Sequence, residues 1–494
     1  MSTNKAYEQI LKTASIFGGV QFFTIIISII RTKLIAVFIG PAGMGLIALL
    51  NSTINILGGI SGLGIETSAI KNISEKYKEE DLTSVSKIVA LVKKMMLITG
   101  IFGTLLTIVF SKWLSIFTFG NSNQMYSFIF LSITLLFKQL TSGQLIILQG
   151  LRKIKFLAKA NLYGNLFGLL FSIPLYVFFK IDAIVPSIII SFLSALIFSF
   201  YFSNKINIKK EKVEKAYFAT EGKIIIKLGI MLTISGVLAL LSTYLVQVFI
   251  SNVSDIEQVG FYNAGFTLLN TYVGLIFTVM STDYFPRLAA INNDSEKIKA
   301  SVTQQSFISI LIITPIIVLF LTFIPLIIKI VYTSKFTAII PMVCFGILGM
   351  LFRAVSWSMG YILIAKGDSK MFIRTAVFFN FLSLIMNICG YYFYGLEGLG
   401  ISFLIYYSLH FLLLKIITKK RYGFYFEKDF YAIYLICFLI CIISFMCRYI
   451  ELVILKYSLM GSMCIISLIF VLYHINKVMN LKNILISIFK NNSK

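Results

Sequence analysis

The sequence predicts an all-α protein that crosses a membrane many times, and three observations lead to that prediction. Hydrophobic residues make up 58% of the 494-residue chain and charged residues only 13%, whereas about a quarter of the residues of a soluble domain are charged. The mean hydropathy is +0.91. Apolar runs of about 20 residues, the length that a helix needs to span a bilayer, follow one another along the chain.

Fourteen apolar segments are predicted to span the membrane. A barrel of strands is not favoured, because these runs are too long for strands and no alternating pattern recurs. The first segment is expected to be a retained helix, since no small-residue cleavage site follows it. The predicted segments are 14–38, 44–70, 86–110, 124–149, 157–179, 182–202, 224–250, 260–285, 304–331, 337–365, 373–394, 398–417, 430–449 and 453–473.

Positive charge is distributed unevenly over the connecting loops. If the helices alternate in direction from a cytoplasmic N-terminus, the cytoplasmic side carries 31 of the 44 Lys and Arg residues and the other side carries 5. Because Lys and Arg concentrate in cytoplasmic loops, both termini are expected in the cytoplasm. The net charge of +24 is then explained by insertion into an inner or plasma membrane and by its anionic lipids, and not by nucleic acid.

An internal repeat is predicted on either side of a charged stretch at residues 203–223. It predicts two pseudo-symmetric six-helix bundles, an N-lobe at 1–205 and a C-lobe at 223–417, joined by a cytoplasmic linker at 206–222. Residues 418–494 add two further helices and a cytoplasmic tail. A shift of 215 residues superposes Gly45 on Gly260, Phe137-Lys138 on Phe352-Arg353, Lys159 on Arg374, Asn165 on Asn380, and Asp182 on Glu397.

Three cations, Arg31, Lys138 and Arg353, lie near the middle of predicted segments. A cation at the bilayer centre costs about 2.5–3.5 kcal/mol on insertion scales, so these side chains are expected to face a polar interior between the lobes. No carboxylate is predicted at the same depth. The expected counter-ion is therefore an anionic cargo that bears phosphate, which guanidinium and ammonium groups bind well. Backbone carbonyls and water are the alternative partners.

Four charged residues are predicted nearer the cytoplasmic ends of their helices. Lys93 and Lys94 lie on adjacent faces of the third segment, and at least one is expected to face the cytoplasmic end of the cavity. Glu66 and Asp283 are candidates for coupling or gating, or for pairing with one of these lysines.

Three other polar residues are candidates with two interpretations each. His410 either titrates during transport or packs between helices, and Asn165 and Asn380 either bind sugar hydroxyls or bridge helices. No catalytic residue, cofactor or metal site is expected, because the chain has only two histidines and no phosphate-binding glycine loop. Transport is expected to draw on H⁺ or Na⁺, on the membrane potential or on the downhill fate of the cargo.

Four stretches carry a resemblance to a known family. They are RTKLIAVFIGPAGMGLIALL at 31–50, ILGGISGLGIETSAIKNISEKY at 56–77, VGFYNAG at 259–265 and GLEGLGISF at 395–403. With these motifs the chain resembles, over essentially its whole length, the O-antigen and lipid-linked oligosaccharide translocases, the Wzx-like flippases of the multidrug/oligosaccharidyl-lipid/polysaccharide exporter superfamily.

The resemblance implies a V-shaped pair of bundles, alternating access and a place in the bacterial inner membrane. The implied cargo is undecaprenyl diphosphate bearing an oligosaccharide, carried from the cytoplasmic to the outer leaflet. Glycan polymerase machinery is a further implied partner. Arg31 is similar in position to an arginine in the first helix of lipid II flippases, which also have fourteen spans.

Three alternatives to this function remain open. The first is a lipid II-type flippase for peptidoglycan precursors. The second is an ion-coupled multidrug exporter of the same fold, which is disfavoured because no Asp or Glu is predicted at mid-segment. The third is a membrane glycosyltransferase or polymerase, which is disfavoured because no external loop is long enough to fold as a domain.

Overall fold

The computed structural model describes residues 24–479, apart from 80, 207, 209–210 and 212–213, and these residues are mostly helical. The first helix, α1, is described over residues 24–38. The later helices are α2 Gly40–Ser61, α3 Ile65–Lys78, α4 Leu82–Phe119, α5 Met125–Leu131, α6 Ile133–Gly150, α7 Ile154–Phe179, α8 Ile184–Ser203, α9 Lys215–Val253, α10 Ile256–Thr267, α11 Leu275–Ala290, α12 Ser295–Val331, α13 Ile340–Ala365, α14 Ser369–Tyr422, α15 Lys428–Met446 and α16 Val453–Met479.

Eleven helical stretches within the described residues are long and apolar enough to cross a membrane. Two of them, Ile154–Ser203 and Ser369–Tyr422, have 50 and 54 residues, more than twice the length of about 20 that one crossing needs. The backbone reverses inside each, at Lys180 with φ 50° and at Gly395 with φ 56°. The helical, multi-pass architecture agrees with the sequence, and the count of fourteen crossings stays a prediction.

A carboxylate joins the two ends of α14. Asp368 caps the first turn by accepting a hydrogen bond from the backbone N–H of Met371, at 3.2 Å. It also accepts hydrogen bonds from Arg421 Nε at 2.5 Å and from the Tyr422 hydroxyl at 2.9 Å. The hydrogen bond from Arg421 holds the pKa of this carboxyl below its ordinary value. Because the start and the end of α14 meet, the 54-residue stretch is a helical hairpin.

The described residues form two compact units. The first contains the residues up to Asn263 together with Val331–Thr333, and the second contains Ala264–Ile330 and the residues from Ser334 onward. Helix α9 belongs to the first unit because it packs against α2, α3 and α4. The predicted linker at 206–222 lies before and at the start of α9, and the predicted lobe limits stay predictions.

Two hydrophobic clusters stabilise the first unit at opposite ends of α4. Near the start of α4, Val92 packs with Ile73 of α3 and Ile146 of α6. Near its end, Leu114 packs with Phe128 of α5, in a cluster that also includes residues of α2, α7 and α8. The middle of the unit, between these clusters, contains the polar cavity described below.

Helix α13 is the central element of the second unit. Most of its residues are buried, and it packs along α11 and α14. Together, the last two helices contact α12 and α13. Val318 of α12 shares a buried cluster with Ile440 of α15 and Met463 of α16, and α15 also packs against α13.

Two glycines allow α2 and α10 to touch within the first unit. A Cβ on Gly45 would overlap the backbone oxygen of Ile256, and a Cβ on Gly260 would overlap the backbone oxygen of Pro41. The contact is reciprocal, because the 215-residue shift relates Gly45 to Gly260 and Pro41 to Ile256. Only glycine permits such a close approach of two backbones.

Replacing Gly45 should therefore weaken the first unit. We expect Gly45→Ala to destabilise the protein by about 1–3 kcal/mol, the usual cost of overpacking, because its Cβ can only meet backbone. The melting temperature of the purified protein in detergent measures the effect. Gly461→Ala on α16 is the matched control, since no atom lies within 4 Å of the position its Cβ would take. Equal melting temperatures for the two variants would contradict the contact.

Candidate functional site

A cavity of about 350 Å³ lies within the first unit, in the polar region between its two hydrophobic clusters. Small residues of α2 and of the turn after it leave this space open. The other walls come from α3, α4, α6 and α9. The lining residues are Asn55, Gly58, Gly59, Gly62, Gly64, Glu66, Thr67, Met96, Lys138, Gln139, Ser142, Thr233, Gly236, Val237 and Leu240.

Lys138 is the cation of this cavity, and a neutral amide holds it. Its ammonium donates a hydrogen bond to Asn55 Oδ1 on α2, at 2.7 Å. The next residue, Gln139, is buried and donates from Nε2 to the backbone oxygen of Gly58, at 2.9 Å. Among the described residues no carboxylate oxygen lies within 4.0 Å of the Lys138 ammonium. The amide thus fixes the position of the charge without neutralising it.

Glu66 lies in the same cavity, which the sequence did not predict. The predicted segment 44–70 is interrupted where α2 ends at Ser61 and α3 begins at Ile65, with Gly64 at φ 67° between them. This turn places Glu66 on the cavity wall that also carries Lys138. The expectation that no carboxylate lies near Lys138 is therefore wrong, because the glycine-rich turn redirects the chain there.

Arg353 is the corresponding cation of the second unit. From α13 it donates a hydrogen bond through Nη1 to Asn270 Oδ1, at 2.6 Å. Asn270 lies in a π-helical turn, Leu268–Val273, a feature that is common at functional sites. The guanidinium carbon also lies 5.3 Å from the ring centroids of both Phe277 and Tyr407. No carboxylate of the described residues lies within 4.0 Å of this guanidinium.

His410 lies beside this arginine in an aromatic cluster. Its ring centroid is 4.2 Å from that of Phe379 and 6.0 Å from that of Tyr407, the residue that also contacts Arg353. Its Nδ1 atom is buried and has no hydrogen-bond partner in the described part of the chain. The ring packs against aromatic rings of α14, and its titration during transport stays a prediction.

Arg31 lies on α1 and contacts α7. Its Nη2 atom donates to the backbone oxygen of Asn165, at 3.4 Å. A Cβ on Gly168 would lie 3.3 Å from that nitrogen. Two predicted site residues, Arg31 and Asn165, are thus neighbours, through the backbone of the asparagine. Arg31 is not among the residues that line the cavity around Lys138.

The remaining predicted residues lie elsewhere. Lys93 and Lys94 are exposed on α4, and the Lys94 ammonium lies 5.0 Å from the centre of the Phe218 ring. Asn380 donates to the backbone oxygen of Ala376 in its own helix, at 2.7 Å. The side chain of Asp283 lies outside the described residues. Within the described ranges no three His, Cys, Asp or Glu side chains are grouped as metal ligands.

Asn55 and Asn270 were not predicted from the sequence. Each accepts a hydrogen bond from a cation 83 residues further along the chain. The 215-residue shift that relates Lys138 to Arg353 also relates Asn55 to Asn270. Applying that shift to the asparagines would have found the pair.

Comparison with known proteins identifies the family of the chain. The model of a family described as polysaccharide biosynthesis protein matches residues 34–341. A protein of Shigella flexneri named as a candidate O-antigen transporter is 24% identical over 396 residues, which are 76% of this chain and 90% of that protein.

Two solved structures share the fold. The lipid II flippase MurJ in an inward closed conformation has a TM-score of 0.69 at 18% identity, covering 94% of this chain and 99% of that one. An inward-facing multidrug resistance MATE family transporter of the MOP superfamily also has a TM-score of 0.69, at 12% identity, covering 83% of this chain and 98% of that one. The chain thus has the fold of these transporters, and it belongs to the family of polysaccharide biosynthesis proteins as a multi-pass protein of the bacterial inner membrane.

Proposed function

We propose that the protein is a flippase for a lipid-linked glycan. Its cargo is undecaprenyl diphosphate bearing an O-antigen or related surface-glycan repeat unit, which it moves from the cytoplasmic to the outer leaflet by alternating access. The matching family and the name of the Shigella flexneri relative support a glycan cargo. The fold shared with MurJ supports a lipid-linked one.

The recurring cation–asparagine pair carries this proposal. Lys138 and Arg353 each donate to an asparagine oxygen, at 2.7 and 2.6 Å, and neither forms an ion pair with a described carboxylate. A cation within the membrane is costly, and a neutral acceptor satisfies one hydrogen bond while leaving the full charge. In this proposal the diphosphate is the anion that each cation attracts, and at Lys138 it meets the Glu66 carboxylate in the same cavity. The recurrence at a constant shift supports two pseudo-symmetric lobes that present one cation each.

Other cations and amides complete the proposed path. Arg31 contributes a third positive charge from α1, and the exposed Lys93 and Lys94 attract the anionic head group to the cytoplasmic entrance. Asn165 and Asn380 contact the hydroxyl-rich glycan. The proposal includes fourteen membrane crossings, with both termini in the cytoplasm as the charge distribution predicts.

Coupling to an ion belongs to the same proposal. Glu66 shares the cavity of Lys138, so an arriving diphosphate repels its carboxylate and favours uptake of H⁺ or Na⁺. His410 has a buried nitrogen with no partner among the described residues, and it adjoins the aromatic ring that contacts Arg353. Asp283 is a third candidate for coupling or gating.

Two alternative cargoes are distinguished by the head group that the protein accepts. A lipid II-type flippase requires a peptidoglycan precursor, and an ion-coupled multidrug exporter requires no lipid diphosphate at all. Likeness in fold to MurJ and to the MATE transporter does not separate them. The family match favours the polysaccharide precursor.

Removal of either amide-held cation should strongly reduce transport. We expect Lys138→Met and Arg353→Met each to reduce transfer of a labelled prenyl-diphosphate oligosaccharide in proteoliposomes at least tenfold. This is the size expected when a charged hydrogen bond of about 1.5–3 kcal/mol is lost. Lys138→Arg should retain part of the activity because it keeps the charge.

Lys335→Met is the matched control, since Lys335 is an exposed cation that lies outside both sites. Undiminished transfer by Lys138→Met and Arg353→Met, at normal expression and reconstitution, would contradict the proposal. Transfer of lipid II in place of the oligosaccharide lipid would favour the first alternative, and drug resistance conferred by the wild type would favour the second.

The asparagines should act through their cations. We expect Asn55→Leu to lower transfer about tenfold, because the ammonium loses its acceptor, and we expect the same of Asn270→Leu for the guanidinium. In a double-mutant cycle, Asn55→Leu should have little further effect once Lys138 is replaced by Met. The cycle compares initial rates of transfer, at several lipid concentrations, for the wild type, the two single variants and the double variant.

Asn387→Leu is the control for an asparagine within a spanning helix, because Asn387 donates to Ser383 of its own helix and, among the described residues, contacts no cation. It should transport at the wild-type rate. Additive effects of the Asn55 and Lys138 substitutions would show that the amide does not act through the ammonium.

A further inference from the structure

A second cationic pocket lies in the second unit, at the end of the helices where α14 stops and α15 starts. Its volume is about 480 Å³, within the range of ligand sites. Lys415 and Lys419 lie one turn apart on α14, so they project from the same face. The pocket is lined by Lys415, Lys419, Phe424, Tyr425, Phe426 and Tyr431.

The floor of this pocket is rigid. Gly423, at φ 65°, ends α14, and its N–H donates to the backbone oxygen of Lys419 at 3.1 Å. Phe424 and Phe426 are both 4% exposed, and the Phe426 ring stacks on Phe430 with centroids 4.0 Å apart. The loop is therefore packed in place before any ligand binds.

Neither lysine of the pocket forms an ion pair with a described carboxylate. Lys415 lies 4.5 Å from the centre of the Tyr431 ring, and no described carboxylate lies within 4.0 Å of either ammonium. The nearby Lys299 differs, because its ammonium lies 3.8 Å from the centre of the Tyr425 ring and 3.7 Å from Glu427 Oε1. Two ammonium groups beside two tyrosines suit a phosphate group.

The surroundings indicate that this phosphate belongs to a lipid. Leu435, Leu439 and Ile443 follow Tyr431 at intervals of four residues on one face of α15, and 55%, 47% and 48% of their surfaces are exposed. In a spanning helix, such an apolar stripe faces acyl chains. Tyrosine is also enriched at the level of the lipid head groups.

We propose that this pocket binds the phosphate of an anionic phospholipid, with the acyl chains along the exposed face of α15. None of the residues that line the pocket is among those assigned to the transport path, so the proposed occupant is a resident membrane lipid and not the cargo. Basic pockets between spanning helices on the cytoplasmic side bind anionic head groups in this way. The predicted topology puts this pocket on the cytoplasmic side.

Native mass spectrometry of the delipidated full-length protein in detergent tests the site. When lipid is added back, we expect the wild type to bind phosphatidylglycerol about tenfold better than phosphatidylcholine. We expect Lys415→Gln/Lys419→Gln to lose that preference. Lys420→Gln/Lys428→Gln is the matched control. It removes the same charge from exposed neighbours that do not line the pocket, and it should keep the preference.

Each other outcome overturns the proposal. Equal loss in both double variants would show general attraction by surface charge, and displacement of the lipid by excess inorganic phosphate would identify a free anion as the ligand. A wild type without preference for phosphatidylglycerol would exclude the site. If the pocket double variant does not fold, Lys419→Gln alone replaces it, because Lys419 is exposed and its loss leaves the pocket floor intact.

Discussion

The hydrogen bond between a membrane-embedded cation and a neutral asparagine is the interaction on which the proposed function depends. An ammonium or guanidinium within a bilayer needs polar partners, and a carboxylate would provide them at the price of cancelling the charge. An amide oxygen satisfies one donor and leaves the positive field in place. Lys138 and Arg353 both donate to an asparagine oxygen, and in the proposed function each attracts the anionic cargo.

The 215-residue shift relates residues of a backbone contact as well as residues of the polar sites. It relates the two cation–asparagine pairs, and it also relates Gly45 and Gly260, whose backbones meet where α2 approaches α10. Helix α2 also carries Asn55, and Asn270 follows the end of α10 by three residues. One shift of 215 residues therefore relates both the backbone contact and the polar pairs.

The features predicted from the sequence are those that depend on local pattern and on energetic cost. Long apolar runs predicted the helices, and the cost of burying a cation singled out Lys138 and Arg353. Asn55 was not predicted, because its hydrogen bond with Lys138 depends on which face of α2 meets α6. Glu66 was misplaced because a continuous apolar run concealed the turn at Gly64. The 215-residue shift relates Asn55 to Asn270, but the cation that each asparagine contacts and the cavity that Glu66 enters depend on which helices become neighbours.

The two cations differ in a way that suits a directional cycle. Lys138 shares its cavity with Glu66, whereas Arg353 lies between two aromatic rings. The field at Lys138 therefore depends on the charge of a neighbouring carboxylate, whereas Arg353 lies against two aromatic rings, with His410 in the same aromatic cluster. In the proposed cycle, the charge of Glu66 adjusts the attraction between Lys138 and an anion in its cavity. Protonation of Glu66 strengthens the hold at Lys138 and its ionisation weakens it, which gives the proposed transport cycle a means of binding and then releasing its cargo.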